Sequence, residues 1–161
     1  MAKRKFRRRR KVRAALVFTR AVHEAGHFVI GLELGLNPGG ITLKVESEIT
    51  SDGEYFTVDG ETMYRFLGLA KALGFKKEGF QTCAGAGYAA EIAVRGRIET
   101  DSDRDDDCIG VFDGYLVVDE VLPLVEEHRD KIVAIARRIS REVGLQPGRY
   151  FWTAEEIGEF V

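Results

Sequence analysis

His23-Glu24-Ala25-Gly26-His27 is the feature that most restricts how this chain can fold. Two imidazoles and a carboxylate interrupt a run that is otherwise apolar. Leu16, Val17, Ala21, Phe28, Ile30 and Leu34 recur at roughly helical spacing between Ala14 and Leu36. Buried ionisable groups without partners are costly, so this cluster needs something to hold it. Residues four apart on a helix differ by about 40° around the axis and about 6 Å along it. Both imidazoles can therefore reach one ion at ~2.0–2.1 Å. The chain has only three histidines, and chance assembly of an H-E-x-x-H pattern from them is rare, roughly 0.4%.

That spacing predicts a zinc site with His23 and His27 as ligands and Glu24 as catalytic base. Zinc would acidify a water toward pKa ~7 and polarise a carbonyl, and Glu24 would take the water's proton and pass it to the leaving amine. A catalytic zinc takes a third protein ligand. His128 stands among Glu126, Glu127, Arg129 and Asp130 and reads as a surface residue. A distant carboxylate is therefore required. Asp101, Asp103, Asp105, Asp106, Asp107 and Glu91 all qualify, and spacing alone does not choose among them. Neither Cys83 nor Cys108 lies near the motif, which argues against a closed, cysteine-rich structural site.

At 161 residues the chain is one ordinary domain. Two cysteines make no disulfide framework and point to free thiols in a reducing compartment. No apolar run approaches the ~20 residues of a membrane span. A cytoplasmic location is expected. The net charge of −2 hides an asymmetry: residues 1–13 hold nine Lys or Arg and no acid, leaving a body of net charge −11. Residues 1–13 are expected to form a disordered basic arm on a domain spanning 14–161. Through residues 3–13 such an arm can bind nucleic acid or another polyanion.

Along the body, Asn37-Pro38-Gly39-Gly40 should stop the motif helix. Ile41–Val45 and Tyr55–Val58 read as strands of a hairpin around Ser51-Asp52-Gly53. Helices are expected over Glu61–Leu73, Gln81–Arg95 and Asp101–Tyr115. A long helix should run from near Pro123 to Val143, and Thr153-Ala-Glu-Glu should cap a last short one. Small residues from Cys83 to Ala90 suit a central helix that another backbone approaches closely. The expected fold is mainly α with a small β-hairpin or sheet.

Ala21-Val22-His23-Glu24-Ala25-Gly26-His27-Phe28-Val29 resembles the catalytic helix of the FtsH-like ATP-dependent zinc metalloproteases. A second block, Ala86-Gly87-Tyr88-Ala89-Ala90-Glu91 followed by Gly96, Thr100 and Asp105, is similar to that family's Gly-Gly-Arg-Ala-Ala-Glu, Gly, Thr and Gly-Ala-Ser-Asn-Asp, aligned without a gap. Tyr88 replaces the usual arginine, and Asp101-Ser102-Asp103-Arg104 replaces Gly-Ala-Ser-Asn. The resemblance implies a zincin-like peptidase domain, Asp105 as third metal ligand, and an edge strand at Ile41–Val45 beside the cleft. No G-x-x-x-x-G-K-[ST] loop occurs. The expected substrates are thus peptides, unfolded proteins, or proteins presented by a separate ATPase partner. The competing reading is a regulatory or nucleic-acid-associated protein on an inactive metalloprotease-like scaffold, against which the intact Glu24 counts.

Overall fold

A computed structural model describes residues 2–64, 77–100 and 117–161. Helix α1 runs Ala2–Glu33, about 48 Å at 1.5 Å per residue. Its second half is the core of the molecule, with Arg20 to Gly31 buried without a break. It stops where the sequence changes character. Gly35 turns to φ 70°, and its N–H donates to the Leu32 carbonyl while the Leu36 N–H donates to Gly31. This crossed pair satisfies carbonyls that the helix end would leave open.

Strand β1 (Pro38–Thr50) returns through a two-residue turn into β2 (Gly53–Tyr64). A third strand, β3 (Gly148–Thr153), pairs with Gly40–Val45 from the other side, giving the order β2-β1-β3, all antiparallel. Ile41, Leu43 and Val45 alternate into the core, while β1 beyond Val45 is exposed out to the hairpin tip. Ile41–Val45 is therefore the central strand of the sheet rather than its edge. The strand that displaces it from the edge, Gly148–Thr153, has glycine and charge at its start and little alternation, so its pairing is not legible locally.

Helix α2 spans Lys77–Arg95. It packs on α1 through the small residues the sequence singled out. A Cβ on Gly26 would stand 2.6 Å from the Ala86 carbonyl oxygen and from the Ala90 side chain. The two backbones approach as closely as they do because that Cβ is missing. Helices α3 (Val118–Glu127) and α4 (Arg129–Val143) close the other side. Val121, Val125, Ile132, Ile135, Ile139 and Val143 are buried against the same core. The short helix α5 (Ala154–Gly158) starts with the expected capping box, Thr153 and Glu156 each bonding the other's backbone N–H.

Residues 2–13 lie in the first turns of α1. Lys and Arg are good helix formers, and the buried half of α1 supplies the nucleus that a free arm would lack. Two expectations change. Glu61–Tyr64 continues β2 rather than opening a helix, because Thr62 pairs with Ile41. The helix expected from Pro123 to Val143 is two helices, parted at His128 (φ −99°, ψ 10°), with Pro123 inside the first. The helix expected over Asp101–Tyr115 and the remainder of Glu61–Leu73 lie outside the described residues. Among the described residues, no helix is long and apolar enough to cross a membrane.

Candidate metal centre

His23 and His27 lie one turn apart on the buried half of α1, 0% and 1% exposed. Their Nε2 atoms face each other at 3.0 Å. Helix α2 holds the far side of both rings. His27 Nδ1 lies 2.7 Å from the Cys83 carbonyl oxygen. A carbonyl only accepts, so this nitrogen carries the proton. His23 Nδ1 lies 2.7 Å from Glu91 Oε1, and a carboxylate likewise takes the donor. In its neutral form each ring therefore turns the lone pair of Nε2 toward the same point. Two lone pairs at 3.0 Å repel unless a proton or a metal ion sits between them. The separation is less than twice a Zn–N bond of ~2.0–2.1 Å, so one ion can touch both. A ring whose second nitrogen donates to a carboxylate or a carbonyl is the usual setting of a metal-binding histidine. The donor set fits zinc.

Glycine shapes the space around the pair. A Cβ on Gly87 would lie 2.6 Å from the Cδ2 and Cε1 atoms of His23, so only glycine leaves room for that ring. Tyr88 is 2% exposed and meets the His23 ring edge-on, centroids 5.1 Å apart at 88°. Tyr88 is thus a wall beside the His23 ring.

Glu24 is 3% exposed and lies under β2. Thr62 Oγ1 stands 2.9 Å from Glu24 Oε2 and 2.9 Å from the Glu24 carbonyl, and can donate to either. Arg20, one turn earlier, is 3.9 Å from Oε1. Gly60 passes directly over the carboxylate, where a Cβ would come within 2.7 Å of Cγ and Oε1. The strand therefore fixes the position of this acid.

Glu91 does not join the Nε2 side. Its Oε1 is given to His23 Nδ1, and its Oε2 accepts from the backbone N–H groups of Glu99 (2.6 Å) and Thr100 (3.0 Å). It orients the His23 ring and ties down the segment after α2 at the same time. Glu99 is braced further by Thr19, Arg97 and Arg95, and its carboxyl is held below the usual glutamate range, chiefly by the Thr19 hydroxyl. Thr100 Oγ1 comes to 3.4 Å from His23 Nδ1.

Asp101, Asp103, Asp105, Asp106 and Asp107 lie outside the described residues, as does Cys108. Among the described residues no group of three His, Cys, Asp or Glu side chains could hold a metal. His128 lies elsewhere, 3.8 Å from Glu33. The sequence pointed to His23, Glu24, His27 and the small-residue helix. It did not point to Thr62, which sits in a segment that reads as helix, or to the Cys83 carbonyl, since a backbone acceptor leaves no mark in composition. Family models, curated proteins and solved structures give no match to this chain.

Proposed function

We propose that this chain is a zinc-dependent endopeptidase that hydrolyses peptide bonds in peptides or unfolded proteins. The observation that carries the reading is the His23–His27 pair, its two Nε2 lone pairs turned to one point with the tautomers fixed from α2. Glu24, the next residue on the same helix, supplies the carboxylate the chemistry needs. When bound, the zinc supplies Lewis-acid polarisation of the scissile carbonyl and an acidified water. His23 and His27 would hold it through Nε2. Glu24 accepts the water's proton on its carboxylate and returns it to the leaving nitrogen. Thr62 steadies that carboxylate through Oε2.

The third ligand in this reading is Asp105. It is five residues beyond Thr100, and five residues of chain span at most ~17 Å. Thr100, the residue from which that length is counted, stands 3.4 Å from His23 Nδ1. A separate ATPase would be needed only for compact substrates.

Zinc content and casein cleavage, measured together for the wild type and Glu24→Gln, test the proposal. The substitution is nearly isosteric and leaves zinc and fold in place. It removes the base, whose loss typically costs ~10²–10⁴ in rate. The wild type cuts casein slowly and is stopped by a chelator. Equal cleavage by both proteins, or none by the wild type on a broad peptide library, rejects the reading.

A further inference from the structure

The cationic half of α1 has no part in the metal centre, yet it carries the strongest charge contrast in the molecule. Nine Lys or Arg occupy the first thirteen residues, against a net −11 over the rest. The helix that bears them is the one that continues into the buried core, so the charges are mounted on the body. One face of it is tied down. Arg9 and Arg13 both pair with Glu54 of β2, and the Arg13 guanidinium lies over the Phe56 ring, 5.0 Å from its centroid. Glu54 is held ionised below the usual glutamate range, chiefly by its hydrogen bond from Arg13.

That anchorage decides which cations remain for a partner. Arg8, Arg10 and Lys11 are exposed and have no acidic partner among the described residues. At 100° per residue, Lys11 lies about 180° from the Arg9–Arg13 side. We infer that the outward face of α1 around Arg8, Arg10 and Lys11 is a binding surface for the phosphodiester backbone of nucleic acid, independent of base sequence.

The chemistry favours this occupant over a lipid surface. A helix that lies in a membrane interface needs an apolar face. Residues 3–13 offer only Phe6 and Val12. Six of the nine cations are arginine, whose planar fork grips phosphate oxygens in pairs. A helix also fits the major groove of duplex DNA. The acidic body repels the same polymer, so contact is confined to the helix. Because α1 is continuous, a nucleic acid held at Arg10 would lie about 20 Å along the axis from His23.

The test uses the full chain and 20-base-pair DNA and RNA duplexes of unrelated sequence. Binding is followed by fluorescence anisotropy between 50 and 200 mM salt. The expected dissociation constant is ~10⁻⁶–10⁻⁴ M near physiological salt, with a steep linear dependence of its logarithm on log salt. The triple variant Arg8→Gln/Arg10→Gln/Lys11→Gln changes only exposed side chains, and its melting temperature should match the wild type. It should flatten the slope by about 2–3, one contact being worth ~0.9. Arg13→Gln, on the anchored face, should leave the slope unchanged. Preference for one duplex type identifies the source of the phosphate. Absence of binding at 50 mM salt, an unaltered slope in the triple variant, or tighter binding to phosphatidylserine vesicles or poly-glutamate overturns the inference. None of these readouts depends on peptidase activity.

Discussion

The Nε2 atoms of His23 and His27 stand 3.0 Å apart on α1, while the Nδ1 atoms of both rings are held by α2, through Glu91 and the Cys83 carbonyl. The first prediction follows from this shared focus. The purified protein should carry about one zinc per chain by elemental analysis, and His27→Ala should lose most of it. Asp105→Ala should weaken metal retention far more than Asp101→Ala or Asp107→Ala. Full zinc in His27→Ala would remove the pair from consideration, and equal losses across the three aspartates would leave the third ligand elsewhere.

Glu91 serves two masters, and its amide cannot. Glutamine has a single acceptor oxygen, but Glu91 accepts from His23 on one oxygen and from the Glu99 and Thr100 N–H groups on the other. Glu91→Gln must abandon one side. Zinc affinity should fall by about 10–100-fold, the usual cost of losing such a partner. Competition with a chromophoric chelator measures it. Unchanged affinity would show that the ring needs no orienting carboxylate.

Two glycines on α2 give a paired test. Gly79 has nothing within 4 Å of where a Cβ would be, whereas at Gly87 that atom enters the His23 ring. Gly79→Ala should stabilise the fold by about 0.5–1 kcal/mol through helix propensity. Gly87→Ala makes the same local gain but displaces an imidazole, and should lower both zinc content and melting temperature. Equal behaviour of the two variants in a thermal melt with and without zinc would contradict the packing described.

A pH effect is expected at the junction of α4 and β3. Glu142 accepts from the Trp152 indole N–H at 2.6 Å and from Arg138 at 2.6 Å. The indole bond is the main reason its carboxyl sits below the ordinary glutamate value of 4.5. A depressed folded value means the unfolded chain binds the proton first as pH falls. The stabilisation is therefore complete above about 4.5 and is lost as pH drops below it through the folded value. The melting-temperature gap between wild type and Glu142→Gln should be constant near neutrality and close in acid. A gap that does not narrow as the pH is lowered through the acid range would rule out this ionisation as its source.

The parts of the molecule written in local periodicity were legible in the sequence. The motif helix, its stop before Pro38, the hairpin and the capping box at Thr153 all follow from neighbours within a few residues. What failed was set by distant partners. Glu61–Tyr64 has helix-compatible residues, yet pairing with β1 takes it into the sheet. Ile41–Val45 looks the same in sequence whether central or at an edge, and only the return of Gly148–Thr153 decides. The site divides in the same way: His23, Glu24 and His27 are visible as a pattern, whereas the roles of Thr62 and the Cys83 carbonyl arise from strand and helix placement.

The separation in sequence between the motif and its supports sets an order of assembly during synthesis. Cys83 and Glu91 follow the histidines they hold by 56 and 68 residues. A nascent chain that has emerged only through β2 contains the whole H-E-x-x-H pattern but lacks the Cys83 and Glu91 acceptors that hold the two Nδ1 atoms. The histidine pair matures only after α2 has been translated and docked against Gly26. A growing polypeptide therefore presents no oriented His23–His27 pair to its surroundings until α2 is in place.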